Sequence, residues 1–286
     1  SYLLSGERAT KLTGRYIEIE MFTLNFREYL EMKAFFGKEI KANKNEELSE
    51  YIRFGGFPKA LEFDNPNDKD TYISEVISQI LDKDVVRHKK IRNRSVFDKV
   101  MTYVINNFGA TMSISSIAEY FEKQEHINIR TETLNNYLQI LQNAKIIYKC
   151  PRFDVKSKKS LRGEQKYYLA DLGIYFSRNV DARINYGPVL ENIVYTYLSA
   201  KNYRISVGRI GKFECDFITR REDEYRYIQV AMTIMSPETE EREYKPFAMI
   251  RDNYPKYLLT LDSLMQKRDG VIHKNIVEFI SEDKNL

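Results

Sequence analysis

A change of rhythm at Tyr186 constrains this chain more than any other feature of it. From there onward the apolar positions switch between helical and strand spacing in the order helix, strand, strand, strand, helix, strand. The helices are expected over 189–200, with Pro188 in the first turn, and over 238–252. The strands are expected over 205–207, 213–219, 225–233 and 257–261, with 276–280 closing the unit. A charged turn, Arg220 to Glu224, divides the second strand from the third. Such an order demands helices packed on a mixed central sheet.

The first 90 residues read as mostly helical, with one short strand at 15–21 that lacks an evident partner. Asn25 can cap a helix whose apolar positions are Phe26, Tyr29, Leu30 and Ala34. Gly55-Gly56-Phe57-Pro58 is a turn, and its glycines are expected to serve backbone geometry rather than a ligand. A second amphipathic helix runs over 72–86. Residues 91–178 then give three helices and a hairpin. The third helix buries Leu134, Tyr137, Leu138, Leu141 and Ala144 at i, i+3, i+4, i+7 spacing. Two strands around 146–150 and 166–170 flank a lysine-rich loop.

Helix, helix, helix, basic hairpin is the order of a winged helix-turn-helix. In that arrangement Asn135, Asn136 and Gln139 on the third helix can pair with base edges, and Lys156, Lys158, Lys159 and Arg162 of the wing can reach phosphates. The net charge is only +4, but the cations are unevenly placed, with a second basic run from Lys83 to Arg94. Winged helices also serve as protein-packing modules, so a protein partner or self-association stands as the alternative to DNA. No stretch is apolar and long enough to span a membrane, and no signal peptide is evident, so a cytoplasmic location is expected. Cys150 and Cys215 sit far apart, and His88, His126 and His273 are scattered, which argues against a zinc site.

The acids of the last unit carry the chemistry. Glu191 lies on the first helix, Asp216 on the second strand, and Gln229 and Ala231 on the third. A metal-dependent nuclease would hold Mg²⁺ with Glu191 and Asp216, and would follow them with a second acid and, two residues later, a lysine. Here those last two places read Gln229 and Ala231. Without a lysine to orient water and offset charge on the phosphate, hydrolysis should be severely weakened. Arg242 or Lys245 on the next helix could take over that role, or could pair with Glu191 and Asp216 as packing partners.

Taken in order, Tyr2-Leu-Leu-Ser-Gly, Thr13-Gly-Arg15, Phe22-Thr-Leu-Asn-Phe-Arg-Glu28, Phe54-Gly-Gly-Phe-Pro58, Lys166-Tyr-Tyr-Leu-Ala-Asp171-Leu-Gly173, Glu214-Cys-Asp216-Phe and Asp252-Asn-Tyr-Pro-Lys256 carry a resemblance. The chain resembles the C-terminal two-thirds or more of bacterial and archaeal AAA+ type ATPases with a C-terminal domain of unknown function, itself related to restriction-endonuclease-like nucleases. The resemblance implies three parts: a mostly helical remnant of the ATPase module over 1–90, a winged helix-turn-helix over 91–178, and a degenerate restriction-endonuclease-like α/β domain over 179–286. It implies ATP and Mg²⁺ for the full-length member, and a nucleotide-linked role for Arg15 as sensor or finger. This sequence contains no Gly-x-x-x-x-Gly-Lys-Ser/Thr loop, so by itself it is expected to bind no ATP and to be a truncated ATPase. A non-enzymatic assembly module and an active Mg²⁺-dependent nuclease are the competing expectations.

Overall fold

The computed structural model describes residues 19–87, 91, 93–157, 159–179, 185–282 and 285–286. Arg15, Lys158, Lys89, Lys90 and Arg92 lie outside the described residues, as do the side chains of Lys83, Arg87 and Arg162. Within them the fold is mixed α/β, with ten α-helices and one mixed sheet of nine strands. No helix among the described residues is long and apolar enough to cross a membrane.

The chain enters through helices. Asn25 caps α1 (Phe26–Phe35): its side chain accepts from the Glu28 N–H at 3.0 Å, and Glu28 Oε2 accepts from the Asn25 N–H at 2.9 Å. This reciprocal box satisfies two amides that a helix start leaves open. Ile19 to Met21, the described part of the strand expected over 15–21, are not in a strand. Helix α2 (Lys44–Phe54) and a long α3 (Pro66–Arg87) complete this segment, and the buried Lys33 ties α1 to α2 through Glu47 at 2.6 Å.

The turn after α2 determines how the helices meet the rest. Gly55 has φ +72°, and a Cβ there would lie 1.6 Å from Asp171 Oδ1. At Gly56 a Cβ would lie 2.1 Å from the Leu24 carbonyl oxygen. Both glycines are therefore demanded by close backbone approach, as the turn reading anticipated. Asp171 fills the resulting nook: Oδ2 accepts from the Gly56 N–H and Oδ1 from the Gly173 N–H, each at 2.8 Å.

Three helices follow, α4 (Arg94–Asn106), α5 (Ile114–Gln124) and α6 (Thr131–Asn143), with the short β1 (Thr111–Met112) between the first two. Leu134, Tyr137, Leu138, Leu141 and Ala144 are all buried, as their helical spacing requires. The hairpin of β2 (Ile147–Asp154) and β3 (Lys159–Leu169) then leads through a short α7 (Gly173–Phe176) to α8 (Tyr186–Ala200). The remaining elements are β4 (Arg204–Ile210), β5 (Phe213–Arg221), β6 (Glu224–Val230), α9 (Pro237–Ala248), β7 (Lys256–Thr260), β8 (Lys267–Arg268), β9 (Val271–Asn275) and α10 (Ile276–Ser281).

The sheet order is β1-β3-β2-β4-β5-β6-β7-β9-β8. Strand β2 pairs in parallel with β4, matching Arg152 to Val207 and Asp154 to Arg209, so the hairpin is continuous with the C-terminal strands. The pairing crosses the 178/179 boundary read from the sequence. Helix α8 packs on one face within a hydrophobic core that extends from Phe26 to Ile280. Helix α9 covers the other face over Cys215, Ile218 and Tyr227.

Burial pushes the Asp171 carboxyl up to about 6 from an ordinary 3.8, against the hydrogen bonds from Gly56, Thr23 and Gly173. Between those values the folded chain holds more protons than the unfolded one, so stability falls as pH rises through the window and is level above it. Denaturant titrations from pH 4 to pH 7 should show this group costing up to about 3 kcal/mol. Asp171→Asn should abolish that component of the slope; an unchanged slope in the variant would place the titration elsewhere.

Candidate functional site

Asn192 sets the rotation of α8. Its side chain accepts from the Leu169 N–H at 2.7 Å and donates to the Leu169 carbonyl at 3.0 Å, standing in for a neighbouring strand along β3. With Asn192 fixed, the preceding Glu191 lies over Lys166 and Tyr168, two positions apart on β3 and so on one face of it. Glu191 Oε2 accepts from Lys166 Nζ at 3.0 Å and from the Tyr168 hydroxyl at 2.7 Å.

Asp216 is positioned by a bulge. Opposite β4, register advances from Ser206 to Gly208 while β5 runs from Ile218 to Cys215, two steps against three. The extra residue reverses the alternation of β5, so Phe217 enters the core beneath α8 while Cys215 and Ile218 enter the core beneath α9. Bulges of this kind re-aim a side chain. Asp216 Oδ2 accepts from the Val230 N–H at 2.8 Å.

The four positions Glu191, Asp216, Gln229 and Ala231 line one open cavity of about 700 Å³. The structure thus brings together the residues that the sequence singled out. It also explains the glutamine. Gln229 Oε1 accepts from the Asp216 N–H at 2.7 Å, and Nε2 donates to Glu243 Oε2 at 2.9 Å. A carboxylate at 229 could accept the first bond but would confront Glu243 with no proton to give. Ala231 is buried in the core under α9.

The lysine near the acids comes from the hairpin. Lys166 is 5% exposed, and its Nζ lies 3.0 Å from Glu191 and 3.0 Å from Glu214 Oε1. Arg152 of β2 holds the other oxygen of Glu214 at 3.1 Å. Neither helix cation expected in this place reaches it. Arg242 pairs with Glu243 at 2.8 Å, and Lys245 lies over the Phe213 ring. Sequence reasoning did not select Lys166, Tyr168, Glu214, Arg152 or Glu243. One signal was available: Lys166 directly precedes the apolar run Tyr167-Tyr168-Leu169 and shares a strand face with Tyr168, which directs its charge into a core.

Burial opposes the charge on Lys166, but the carboxylates of Glu191, Asp216 and Glu214 outweigh it and hold the ammonium above its usual range. Asp216 is driven the other way. Burial and then the Glu191 carboxylate raise its carboxyl well above the usual range, against Lys166 and the Val230 N–H. These donors do not suit Mg²⁺ at Glu191 and Asp216. One oxygen of Glu191 is shared by Lys166 and Tyr168, and Asp216 Oδ2 is taken by the Val230 N–H, whereas a hard cation needs free oxygens. Among the described residues, no three acids, histidines or cysteines converge as a metal set.

The residues expected to read nucleic acid are spread over the surface. Asn135 and Gln139 are exposed on α6, Asn136 is half-buried, and Gln139 donates to Asn143 at 3.0 Å. Lys156 and Lys159 are exposed at the hairpin tip.

Residues 45–182 match a family model described as a domain of unknown function (DUF8612). The match runs from α2 through the hairpin to α7. A protein of Haemophilus influenzae, described only as an uncharacterized protein, is 34% identical over 258 residues, covering 90% of this chain and 63% of that protein. Uncharacterized protein MJ1544 of Methanocaldococcus jannaschii is 32% identical over 256 residues, covering 86% of this chain and 56% of its own length. The chain therefore spans less than two thirds of the length of these relatives.

Removing one partner of a buried ion pair leaves the other charge desolvated. Lys166→Ala should lower unfolding free energy by about 3 kcal/mol or more, and Glu191→Gln in that background should restore part of the loss. Chemical denaturation of the two single variants and the double variant measures this; purely additive losses would mean that the pair is not coupled.

Proposed function

We propose that this chain is the nucleic-acid-binding, non-hydrolysing portion of a larger AAA+ type ATPase, with a winged helix over 91–178 and a degenerate nuclease-like domain over 179–286. One observation carries the non-hydrolytic reading: the Lys166 ammonium engages Glu191, one of the two acids expected to hold a metal, together with the neighbouring Glu214. Exposed Lys156 and Lys159 at the hairpin tip support the binding half. ATP and Mg²⁺ belong, in this reading, to the part of the longer relatives that this chain does not match, and Arg15 would serve that nucleotide.

A second reading rests on the same lysine. Lys166 stands beside Glu191 and Glu214, which line the cavity, and from there it could offset charge at those acids in a Mg²⁺-dependent nuclease.

Supercoiled plasmid and labelled duplex separate the readings. The proposed function expects duplex binding that weakens steeply with salt, and intact plasmid with either Mg²⁺ or Mn²⁺. Cleavage that disappears in Lys166→Ala would establish the nuclease instead. Absence of both binding and cleavage would leave the protein-assembly alternative.

A further inference from the structure

The cations between the hairpin tip and the cavity fall into two sets. Arg152 and Lys166 are turned inward and spent on Glu191 and Glu214. Lys156, Lys159, Arg209, Lys212 and Lys245 are exposed, and none of them makes an ion pair with a described residue. The second set is contiguous. Lys159 is the cross-strand partner of Asp154, Asp154 is alongside Arg209, and Arg209 is opposite Glu214, so these four residues form one row across β3, β2, β4 and β5 and share a face of the sheet. The Val155 N–H donates to the Arg209 carbonyl at 2.9 Å, which anchors the hairpin tip to β4.

At the end of that row the β4–β5 turn carries Lys212, and the ammonium groups of Lys212 and Lys245 each lie 5.5 Å from the centre of the Phe213 ring. Lys212, Phe213 and Glu214 line the cavity. The acids interleaved with these cations are already engaged. Asp154 accepts from the Ser157 N–H at 2.6 Å, Glu214 holds Lys166 and Arg152, and Glu241 holds Arg268 at 2.8 Å. Asp154, between Lys159 and Arg209, offsets part of their charge, and the five exposed cations still leave this face net positive beside a cavity in which Glu191 and Glu214 hold buried cations.

We infer that Lys159, Arg209, Lys212 and Lys245, with Lys156 at the tip, form a track that carries a nucleic-acid phosphate backbone from the hairpin to the mouth of the cavity. The inference rests on the nucleic-acid-binding reading above and names the surface that performs it. Three strand spacings separate β3 from β5, about 14 Å, enough for a few phosphates of one strand. The track is distinct from the amide face of α6, so it recognises backbone rather than base sequence.

The test is fluorescence anisotropy of the full chain with 20-nucleotide single-stranded and duplex DNA over a series of NaCl concentrations. Two variants accompany the wild type: Lys212→Glu with Lys245→Glu at the cavity end, and Lys156→Glu with Lys159→Glu at the tip. All four side chains are exposed, and circular dichroism melts verify that each variant folds. The track predicts a loss of about tenfold or more in affinity for the cavity-end variant, and a salt slope shallower by about 0.7 to 0.9 for each phosphate that is no longer neutralised. Tighter binding of the single strand would identify an unpaired backbone as the ligand, and tighter binding of the duplex a paired one. If wild type binds and only the tip variant weakens, the track is wrong while the binding reading survives. If wild type binds neither DNA, or if polyglutamate competes as well as DNA does, both fall.

Discussion

The C-terminal half of this protein is organised around one buried ammonium group. Lys166 extends from the hairpin into a space where Glu191 of α8 and Glu214 of β5 would otherwise face each other and Asp216 in a desolvated setting. Like charges at such distances cannot all remain ionised without a counter-charge. The lysine supplies it and thereby fixes three separate pieces of chain against one another. Its value lies less in stabilising energy, since a buried pair repays only part of its own desolvation, than in specifying a single register for the hairpin against the sheet.

Once the hairpin is placed, the rest of the site follows from backbone requirements. The parallel pairing of β2 with β4 brings Arg152 to Glu214, and the bulge in β5 turns Asp216 toward the Val230 N–H. Gln229 then spans the space from β5 to α9, accepting from one side and donating to Glu243 on the other. An amide performs that double task and a carboxylate cannot. The glutamine is therefore a solution to local hydrogen bonding.

Local order was legible in the sequence because it depends on neighbours within one turn or strand. The Asn25 cap, the apolar stripe of α6 and the alternation of helix and strand after Tyr186 are all of that kind, and the structure contains each. The cavity set Glu191, Asp216, Gln229 and Ala231 could be singled out by residue type and element order, whereas the bulge that aims Asp216 could not. Lys166 was not singled out, although it lies in plain view in the Lys166-Tyr-Tyr stretch. Its partners are 25 and 48 residues away, and the contact depends on a strand pairing, β2 with β4, that no local pattern encodes. Of the strand expected over 15–21 only Ile19 to Met21 are described, and those three residues are not in a strand.

The glycine turn connects this site to the helical segment. Strand β3 ends at Leu169, whose backbone Asn192 holds, and two residues later Asp171 is clamped by the Gly56 and Gly173 amides. The same Gly56 accepts from the Leu24 N–H at 2.8 Å, and the Tyr51 hydroxyl donates to the Leu24 carbonyl at 2.8 Å. A continuous series of short, buried contacts thus runs from the start of α1 through the turn to β3 and on to Lys166. Close packing allows little slack along such a series. A shift of α1 and α2 relative to the sheet must either break the Asp171 clamp or draw β3 with it, and β3 carries the charge on which Glu191 and Glu214 depend.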